Sequence, residues 1–438
     1  MGTTNGLGGA AARAGAVHRS AHGLADAGVA GRPCAGEHEE GSMIPTCEQR
    51  RTIWLVTPEW RGQGGVGDYT HFLAGHLAAL GYSVVVFGPP GRLRAADEGN
   101  TAPYVRREVP GAWSPRALLH LARLARAERP DVMHLQFVPH GFHPRGLPTA
   151  LCLLPLLVRL ASPARPVVTF HELFISWEGG LARRALGLLQ RLQALLLAAP
   201  SCAVVVTLER RAAWLGRRLP HVRSAIFVVP VGSNIPVVPL SASERCALRR
   251  QLFGSDEVFV LGIFSPQHPA VDLEGVVAAL AELPHEVRLL VIGRVPAERC
   301  RAVQQRAAAL GVSRRICWTG SLSAEAVSQA LQAVDVYVHA HPSGPSPRST
   351  ALAAALAHGL PVVAYAGTED QSGRYQNGKN LVLVRAGQPG ALAVAVERLR
   401  RDEALRQELV ASGRSLYRDS FTWEKIAAMT LYTYISVC

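Results

Sequence analysis

The residues best suited to chemistry fall in three short segments, the first of which is rich in glycine. Gly64, Gly65 and Gly67 lie between a predicted strand and a helix predicted over Tyr69–Leu80. Glycine lets the backbone pass close to a ligand, and the N–H groups at a helix N-terminus attract anions. A tight strand-to-helix turn without any ligand would use the same residues, so this segment alone leaves both interpretations open.

His171 is the second feature, at the end of an apolar strand predicted over Val167–Phe170. Parallel sheets bind ligands outside the carboxyl ends of their strands. A single histidine at that position is either a hydrogen-bonded structural residue or part of a site. Glu172, which follows it, is expected to orient the loop.

The third feature is a cluster of hydroxyl and guanidinium groups at Ser346, Arg348, Ser349 and Thr350. These residues would occupy the first turn of a helix that ends at His358–Pro361. Hydroxyls, a guanidinium and free backbone N–H groups in that turn would form a receptor for a diphosphate. An ordinary serine or threonine helix cap would use some of the same residues.

The elements that must position these side chains belong to a long apolar chain. With 438 residues, of which 48% are apolar and 18% charged, the sequence predicts two domains with sizeable cores. The longest apolar stretch, Leu147–Leu160, is interrupted by prolines and an arginine, and no secretory signal is evident. The eight scattered cysteines predict neither a disulfide framework nor a zinc site. We therefore expect a cytoplasmic protein.

Two series of continuously apolar runs alternate with helical patterns, as parallel strands covered on both faces require. A Pro-rich linker at 230–239 separates the two series. The predicted divisions are a disordered extension (1–50, with Met1 or Met43 as the true start), a first Rossmann-like domain (51–235), a second one (236–420) and a helix that packs back toward the first domain (421–438). Two doubly wound α/β domains joined by a hinge predict a ligand cleft between them.

The formal net charge of +13 is concentrated in one half of the chain, because residues 51–235 carry +11 of it. That half should meet an anionic partner. The helix predicted over Leu181–Leu197 is basic and amphipathic, which suits peripheral contact with the anionic inner face of a membrane. A core-facing helix with a solvated basic face fits the same pattern. Nucleic acid is disfavoured because the basic residues lack interleaved aromatics.

Several segments together resemble glycosyltransferase family 4, the group 1 glycosyl transferases. The segments are Pro58–Tyr69, Val167–Leu173, Thr207–Glu209, Val231–Pro236 and Ser343–Val363. The resemblance implies a GT-B fold, in which two Rossmann-like domains face each other across a cleft. It also implies that the first domain binds the acceptor and the second binds the nucleotide sugar.

The resemblance further implies a reaction and roles for individual residues. A hexose would pass from a nucleoside diphosphate sugar to a hydroxyl acceptor, either lipid-linked or a growing polysaccharide, with retention of anomeric configuration. His171 would be the catalytic residue and reach the transferred sugar. The implied acceptor contacts are Gly64, Asp68 and Tyr69.

The chain departs from the family pattern at the Glu-x7-Glu pair, whose two positions hold Ser346 and Ala354. It resembles a subgroup that carries a Ser/Arg-rich loop here instead. The ribose contact is then unassigned, with Glu369 and Asp370 on the following loop as candidates.

A second departure concerns the basic pair that the family uses to neutralise the leaving diphosphate. The loop at 264–270, where the pair is expected, contains no lysine or arginine. His268 stands near the expected lysine, but a neutral histidine stabilises developing charge less than a permanent cation does. The expected donor contacts are Gly65, His268, Arg294, Ser346, Arg348, Ser349 and Thr350.

No metal or other cofactor is expected. His339 and His341 share one face of a predicted strand, but no third ligand is evident. The missing carboxylates and the missing basic pair favour a competing hypothesis, a non-catalytic GT-B protein that binds nucleotide sugar or a partner enzyme. A sugar-nucleotide epimerase is a third hypothesis.

Overall fold

The protein is described by a computed structural model that covers residues 51–91, 102–111, 113–175, 179–370 and 372–436. The extension predicted over 1–50 lies outside these residues. We call residues 51–235 the first lobe and residues 236–420 the second lobe. Within the covered ranges, no helix is both long enough and apolar enough to span a membrane.

Each lobe is built on one parallel sheet. The strands of the first lobe are β1 (Thr52–Val56), β2 (Ser83–Gly88), β3 (Val105–Glu108), β4 (Val132–Phe137), β5 (Arg165–Phe170), β6 (Ala203–Val206) and β7 (Ile226–Val228). Those of the second are β8 (Phe259–Phe264), β9 (Val287–Ile292), β10 (Ile316–Trp318), β11 (Val336–His339), β12 (Val362–Tyr365) and β13 (Val382–Val384). The described strands follow the orders β3-β2-β1-β4-β5-β6-β7 and β10-β9-β8-β11-β12-β13.

Helices cover the sheets. In the first lobe they are α1 (Gly65–Ala79), α2 (Pro115–Glu128), α3 (Pro139–Phe142), α4 (Leu154–Ala161), α5 (Leu181–Ala198) and α6 (Glu209–Arg218). In the second they are α7 (Ala242–Phe253), α8 (Leu273–Ala281), α9 (Ala297–Ala309), α10 (Ala324–Gln332), α11 (Thr350–Ala357), α12 (Pro389–Arg401) and α13 (Glu403–Ser420). Short 3-10 helices lie at Ala150–Leu153, Pro220–Ala225 and Ser313–Arg315, and α14 (Trp423–Ile435) closes the chain.

The strand order reverses once in each sheet, between β1 and β4 and between β8 and β11. The crevice outside the carboxyl ends of such a pair of strands is where doubly wound sheets bind ligands. The central strands are buried along their whole length, as in β4 and β11, which is why their sequences are continuously apolar. The prediction of two doubly wound α/β lobes is confirmed.

The structure differs from the prediction in one strand and one helix boundary. Strand β3 was not predicted, because Val105–Glu108 carries two arginines and a glutamate and has no continuous apolar run. It lies at the edge of the sheet, where its side chains are exposed or only partly buried and can therefore be charged. Helix α1 begins at Gly65 rather than at Tyr69, so the glycine turn forms the first turn of the helix itself.

Helix α14 returns from the second lobe to the first. Its buried residues include Trp423, Ile426, Ala427 and Tyr434, the spacing of one face of an amphipathic helix. This face packs against α1 and the first sheet. The Trp423 indole N–H also donates to the carbonyl of Ser233 (2.7 Å) in the segment that joins the lobes.

The segment that joins the lobes is fixed at both of its sides. The Asn234 side-chain amide donates to Asp68 in the first lobe (3.1 Å). The Val231 backbone N–H donates to the carbonyl of Pro347 in the second lobe (2.8 Å). The Ser/Arg-rich loop, which contains Pro347, is therefore hydrogen-bonded directly to the segment that joins the lobes.

Candidate active site

A cavity of about 250 Å³ opens at the carboxyl ends of β8 and β11, where the strand order of the second sheet reverses. Most of its wall comes from the second lobe. Its polar lining consists of Ser265, His268, His339, His341, Ser343, Ser346, Arg348, Ser349, Thr350 and Glu369, together with Glu172 from the first lobe. The predicted hydroxyl and guanidinium cluster therefore lines the cavity.

The Ser/Arg-rich loop combines a helix cap with a ligand-facing surface. The Ser349 hydroxyl accepts the backbone N–H of Leu352 (3.2 Å) and caps α11, so the cap interpretation holds for this residue. The Ser346 side chain is buried, and its hydroxyl accepts the backbone N–H of Arg348 (3.4 Å). Thr350 begins the helix, where backbone N–H groups have no partner within the helix.

Arg348 is held by a buried carboxylate. Its Nε donates to Oε1 of Glu369 (3.0 Å), and Nη2 of Arg210 in α6 reaches the same oxygen at 3.0 Å. The Glu369 side chain is only 3% exposed. Burial opposes its ionisation, but Arg348, a hydrogen bond from Ser343, and Arg210 together lower the pKa of Glu369 below its usual value. Glu369 thus orients Arg348, and its candidate contact with ribose stays a prediction.

Glycine is required where the Ser/Arg-rich loop meets the loop after β12. A Cβ on Gly367 would lie 2.1 Å from the carbonyl carbon of Ser343, and one on Gly344 would lie 2.7 Å from the backbone nitrogen of Gly367. Gly344 also has a φ of +85°, which favours glycine. This close approach brings Glu369 beneath the cavity, since its backbone N–H donates to the carbonyl of Ser343 (3.0 Å).

His171 follows β5 in the first lobe and is fixed on three sides. Its Nε2 donates to Oε1 of Gln136 (3.0 Å), its carbonyl accepts from Arg211 (2.7 Å), and its ring contacts the edge of Tyr69 at 4.7 Å. Burial and then Arg211 lower the pKa of His171 to about 3, so the imidazole is neutral at pH 7. His171 is not part of the cavity lining, to which the adjacent Glu172 contributes.

Two N–H groups of the glycine-rich turn, which the sequence predicted to be available to a ligand, are already bound within the protein. The Glu59 carboxylate accepts the N–H groups of Val66 (2.9 Å) and Gly67 (3.1 Å) at the start of α1. A Cβ on Gly64 would lie 2.4 Å from that carboxylate, whereas the position of a Cβ on Gly65 is open. The start of α1 therefore binds a carboxylate of the protein itself, that of Glu59.

Tyr69 and Asp68 hold the structure together. Tyr69 is 3% exposed, its ring packs against Trp423 at 5.2 Å, and its hydroxyl hydrogen bonds with Thr430. Burial raises its pKa well above the usual range. The predicted acceptor contact for Tyr69 is wrong, because the side chain is inside the core. One carboxylate oxygen of Asp68 accepts the backbone N–H of Gly62 (2.8 Å), and the other accepts from the Asn234 side-chain amide.

The predicted basic residues of the second lobe separate in space. His268 lines the cavity, but Arg294 is exposed and does not. Arg299 of α9, which the sequence analysis did not single out, donates to the carbonyls of Pro266 (2.9 Å) and His268 (2.7 Å). It fixes the loop after β8 rather than offering its charge to a ligand.

Three cleft residues escaped sequence reasoning: His341 as a ligand-facing group, and Arg210 and Arg211 in the first turn of α6. A signal for the arginines was available, because they lie in the first turn of the helix that follows the carboxyl end of β6. Within the described part of the chain, no three histidine, cysteine or carboxylate side chains are placed to bind a metal ion. The cavity lining presents the Arg348 guanidinium and several hydroxyls, which suit an anionic ligand, beside the carboxylates of Glu172 and Glu369.

Two doubly wound lobes with such a cavity at the switch point of the second one define a two-lobed α/β protein of the GT-B class. Comparison with known families agrees. Residues 64–232 match the glycosyl transferase 4-like domain, and residues 257–402 match glycosyl transferases group 1. The chain thus carries a glycosyl transferase 4-like domain followed by a glycosyl transferases group 1 domain.

Two curated relatives are similar in part. The chain is 29% identical over 210 residues to a phosphatidyl-myo-inositol mannosyltransferase of Mycobacterium leprae, which covers 48% of this chain and 54% of that protein. It is 31% identical over 243 residues to a D-inositol 3-phosphate glycosyltransferase of Xylanimonas cellulosilytica, which covers 54% of this chain and 57% of that protein. The chain thus spans little more than half the length of either relative.

Solved structures share the fold. The Anabaena protein HepE, solved in complex with UDP and glucose, superposes with a TM-score of 0.68 at 17% identity, over 88% of this chain and 100% of that chain. A sucrose-phosphate synthase of Thermosynechococcus elongatus superposes with a TM-score of 0.65 at 20% identity, over 89% of this chain and 99% of that chain. At these identities the likeness establishes the architecture alone.

Proposed function

We propose that the protein transfers a hexose from a nucleoside diphosphate sugar to a hydroxyl acceptor, with retention of anomeric configuration. One observation carries this proposal. Arg348 and the side chains of Ser346 and Thr350 converge on one cavity at the carboxyl ends of β8 and β11. A helix N-terminus and a guanidinium together suit a diphosphate. The domain matches and the nucleotide-bound structural neighbour support the same ligand class.

The residues of the cleft support a mechanism without a protein base. His171, whose pKa is lowered to about 3, is a weak base, and Glu369 is engaged by two arginines. In the proposed reaction the bond from the anomeric carbon to the diphosphate breaks, and its electron pair leaves with the diphosphate. The acceptor oxygen bonds to the same face of the sugar, and its proton passes to the departing phosphate oxygen. Arg348 stabilises the charge that develops there.

The nucleotide base and the sugar can be found with a thermal-shift screen of uridine-, guanosine- and adenosine-diphosphate sugars. A ligand that binds only the folded state must raise the unfolding temperature. The donor that does so is then incubated with the purified protein and a hydroxyl acceptor, and the anomeric configuration of the product is read by NMR. We expect a product with the anomeric configuration of the donor. An inverted product, or no stabilisation by any donor, would contradict the proposal.

The same screen separates the competing hypotheses. Donor binding with neither transfer nor hydrolysis would identify a non-catalytic nucleotide-sugar protein. A new sugar nucleotide formed without any acceptor would identify an epimerase. The matched pair of variants is Arg348→Ala in the cavity and Arg294→Ala on the surface, and only the first should impair transfer.

We further propose that the first lobe binds an anionic membrane surface from the cytoplasm and that the acceptor is lipid-linked. The outward faces of α4 and α5 carry exposed leucines, whereas the sequence predicted a basic, amphipathic helix over Leu181–Leu197 alone. The exposed leucines are Leu153, Leu156, Leu160, Leu181, Leu188, Leu189, Leu192 and Leu196. The 3-10 helix Ala150–Leu153 packs against both helices, so the leucines belong to neighbouring elements.

Charge complementarity favours a bilayer as the partner of this leucine surface. Arg183 and Arg184 are exposed on α5, and Arg159 is exposed on α4. Basic residues near an anionic leaflet contribute about 1 kcal/mol each, and buried leucines add to this. Vesicles of phosphatidylglycerol should therefore sediment the protein in a salt-sensitive manner.

The variants that test this surface change two leucines on the exposed face of α5. Leu188→Ser with Leu192→Ser should weaken vesicle binding without changing stability, because both side chains are about half exposed. Equal recovery on phosphatidylcholine and phosphatidylglycerol would contradict the proposal. Recovery unchanged by the double variant would assign binding to another surface.

A further inference from the structure

The cavity holds a group of histidines at the position where the family pattern leads one to expect permanent cations. His268, on the loop after β8, and His341, beyond the end of β11, both line the cavity, and their ring centroids lie 5.1 Å apart. His339 stacks near His341 at 6.3 Å and is buried. Two of the three imidazoles are thus open to a ligand, and they face it from two different elements.

Hydrogen bonds define which nitrogen of each ring is available. The Nδ1 atom of His268 accepts the backbone N–H of Ala270 (3.2 Å). The Nδ1 atom of His341 lies 3.4 Å from the backbone nitrogen of Ser343 and 2.7 Å from its hydroxyl oxygen. In the neutral state, both rings therefore carry their hydrogen on Nε2. A hydroxyl can donate or accept, so Ser343 can turn and accept from a protonated Nδ1 of His341.

The charged groups around the two rings come from each element that forms the cavity. Burial and then Arg348 lower the pKa of His268, with Arg299 acting in the same direction and Glu172 against it. Burial and then His268 lower the pKa of His341, with Arg348 acting in the same direction and Glu369 against it. Without a ligand, both rings are therefore neutral at pH 7.

A diphosphate placed in this cavity changes the balance. It adds at least two negative charges a few ångströms from both rings, and the attraction of a cation to such charges in a partly buried site exceeds one weak backbone hydrogen bond. A second proton is opposed by the first at this ring separation. His341 is the better acceptor of the proton because the Ser343 hydroxyl can turn and accept from Nδ1, which offsets the loss of the 3.4 Å bond from the Ser343 backbone. The partner of Nδ1 in His268 is the backbone N–H of Ala270, which cannot accept.

We propose that His341, with His268 beside it, replaces the missing basic pair as a titratable cation, so that donor binding is coupled to the uptake of one proton. This rests on the proposed function, since it requires that a diphosphate occupies the cavity. The proton goes to Nδ1 of His341, Nε2–H of both rings donates to the diphosphate, and no other reactant is needed. Release of the diphosphate returns the proton to solvent.

The test is isothermal titration calorimetry of the wild-type protein with UDP-glucose, GDP-mannose and ADP-glucose, each in two buffers of different ionisation enthalpy. The diphosphate of each donor joins the nucleoside to the sugar and keeps a constant charge near neutral pH, whereas a terminal phosphate would itself titrate at about pH 6. The difference in heat between the buffers gives the number of protons taken up. We expect about one proton per donor at pH 7, and an affinity that falls roughly tenfold per pH unit between the pKa of the free state and the higher pKa of the bound state.

Variants locate the proton. His341→Asn keeps an oxygen that can accept from Ser343 but cannot be protonated, and it should abolish proton uptake. The control His285→Gln changes a histidine of the same lobe that is 98% exposed, and it should leave uptake unchanged. If His341→Asn fails to fold, the wild-type measurement and the variant His268→Gln still decide the matter, because His268→Gln should retain uptake and bind more weakly.

The outcomes are distinct. Binding with no proton uptake by the wild-type protein would overturn this inference and leave the proposed function standing. Uptake that persists in His341→Asn would assign the proton to another group and also overturn it. Failure of all three donors to bind would instead contradict the proposed function itself.

Discussion

Glu369→Gln tests the carboxylate that joins the two lobes beneath the cavity. The substitution keeps the shape of the side chain and removes the charge that binds Arg348 and Arg210, each at 3.0 Å. Hydrogen bonds between charged groups contribute about 1.5–3 kcal/mol each. The two arginine side chains are 32% and 47% exposed, so water recovers part of the loss. We expect the free energy of unfolding to fall by about 2–3 kcal/mol.

The pH dependence of this difference has a defined sign. The folded pKa of Glu369 lies below its unfolded value of about 4.3. Its contribution is therefore fully present at neutral pH and is lost as the pH falls through the folded pKa. Urea unfolding of both proteins should show a gap that is constant from neutral pH down to about pH 5 and narrows below about pH 4.

The matched control is Glu128→Gln. Glu128 pairs with Arg107 at 2.6 Å, but both side chains are more than a third exposed. Such a pair contributes about 0–1 kcal/mol. Equal losses for Glu369→Gln and Glu128→Gln, or a loss below about 0.5 kcal/mol for Glu369→Gln, would refute the reasoning that burial makes the first carboxylate special.

Three further predictions concern the first lobe. Gly67→Ala should lower the unfolding midpoint sharply, because the new Cβ would lie 2.2 Å from a backbone carbonyl oxygen. Gly65→Ala should leave the midpoint unchanged, because the position of its Cβ is open. Equal effects of the two substitutions would contradict this prediction. Tyr69→Phe should lower the free energy of unfolding by about 1 kcal/mol, because it removes a hydrogen bond to α14. The affinity for the donor should not change. A variant of normal stability that no longer binds the acceptor would support the predicted acceptor contact of Tyr69. Burial, with smaller contributions from charged neighbours, lowers the pKa of both His134 and His171 to about 3, so the unfolded chain binds more protons between about pH 3 and about pH 6.5. Stability should fall on acidification by at most about 1.4 kcal/mol per pH unit for each, and NMR titration of either imidazole above about pH 5 would contradict it.

The sequence predicted the sheets well because buried parallel strands leave continuously apolar runs. The strand predicted over Val167–Phe170 is observed within β5 (Arg165–Phe170). Strand β3 was missed because an edge strand with one solvated side can carry charges. Tyr69 was misassigned although it shares a spacing of four residues with Leu73 and Leu77, which placed it on the buried face of α1.

The chemistry of the cleft was less predictable, because it depends on contacts between distant residues. Arg210 and Glu369 are 159 positions apart, and no local pattern connects them. The capping of α1 by Glu59 was also invisible, since a carboxylate seven residues before Val66 is not a standard cap spacing. The Ser/Arg-rich loop was found because its residues are adjacent in sequence.

The most direct test of the central account is the affinity of the cavity for a nucleoside diphosphate sugar in the wild-type protein, in Arg348→Ala and in Arg294→Ala. Arg348→Ala should bind the nucleoside diphosphate sugar about tenfold to a hundredfold more weakly than the wild type, because it loses charge-assisted hydrogen bonds to the diphosphate. Arg294→Ala should bind as the wild type does, because Arg294 is exposed and outside the cavity lining. Equal affinities for all three proteins would contradict the placement of the diphosphate in this cavity.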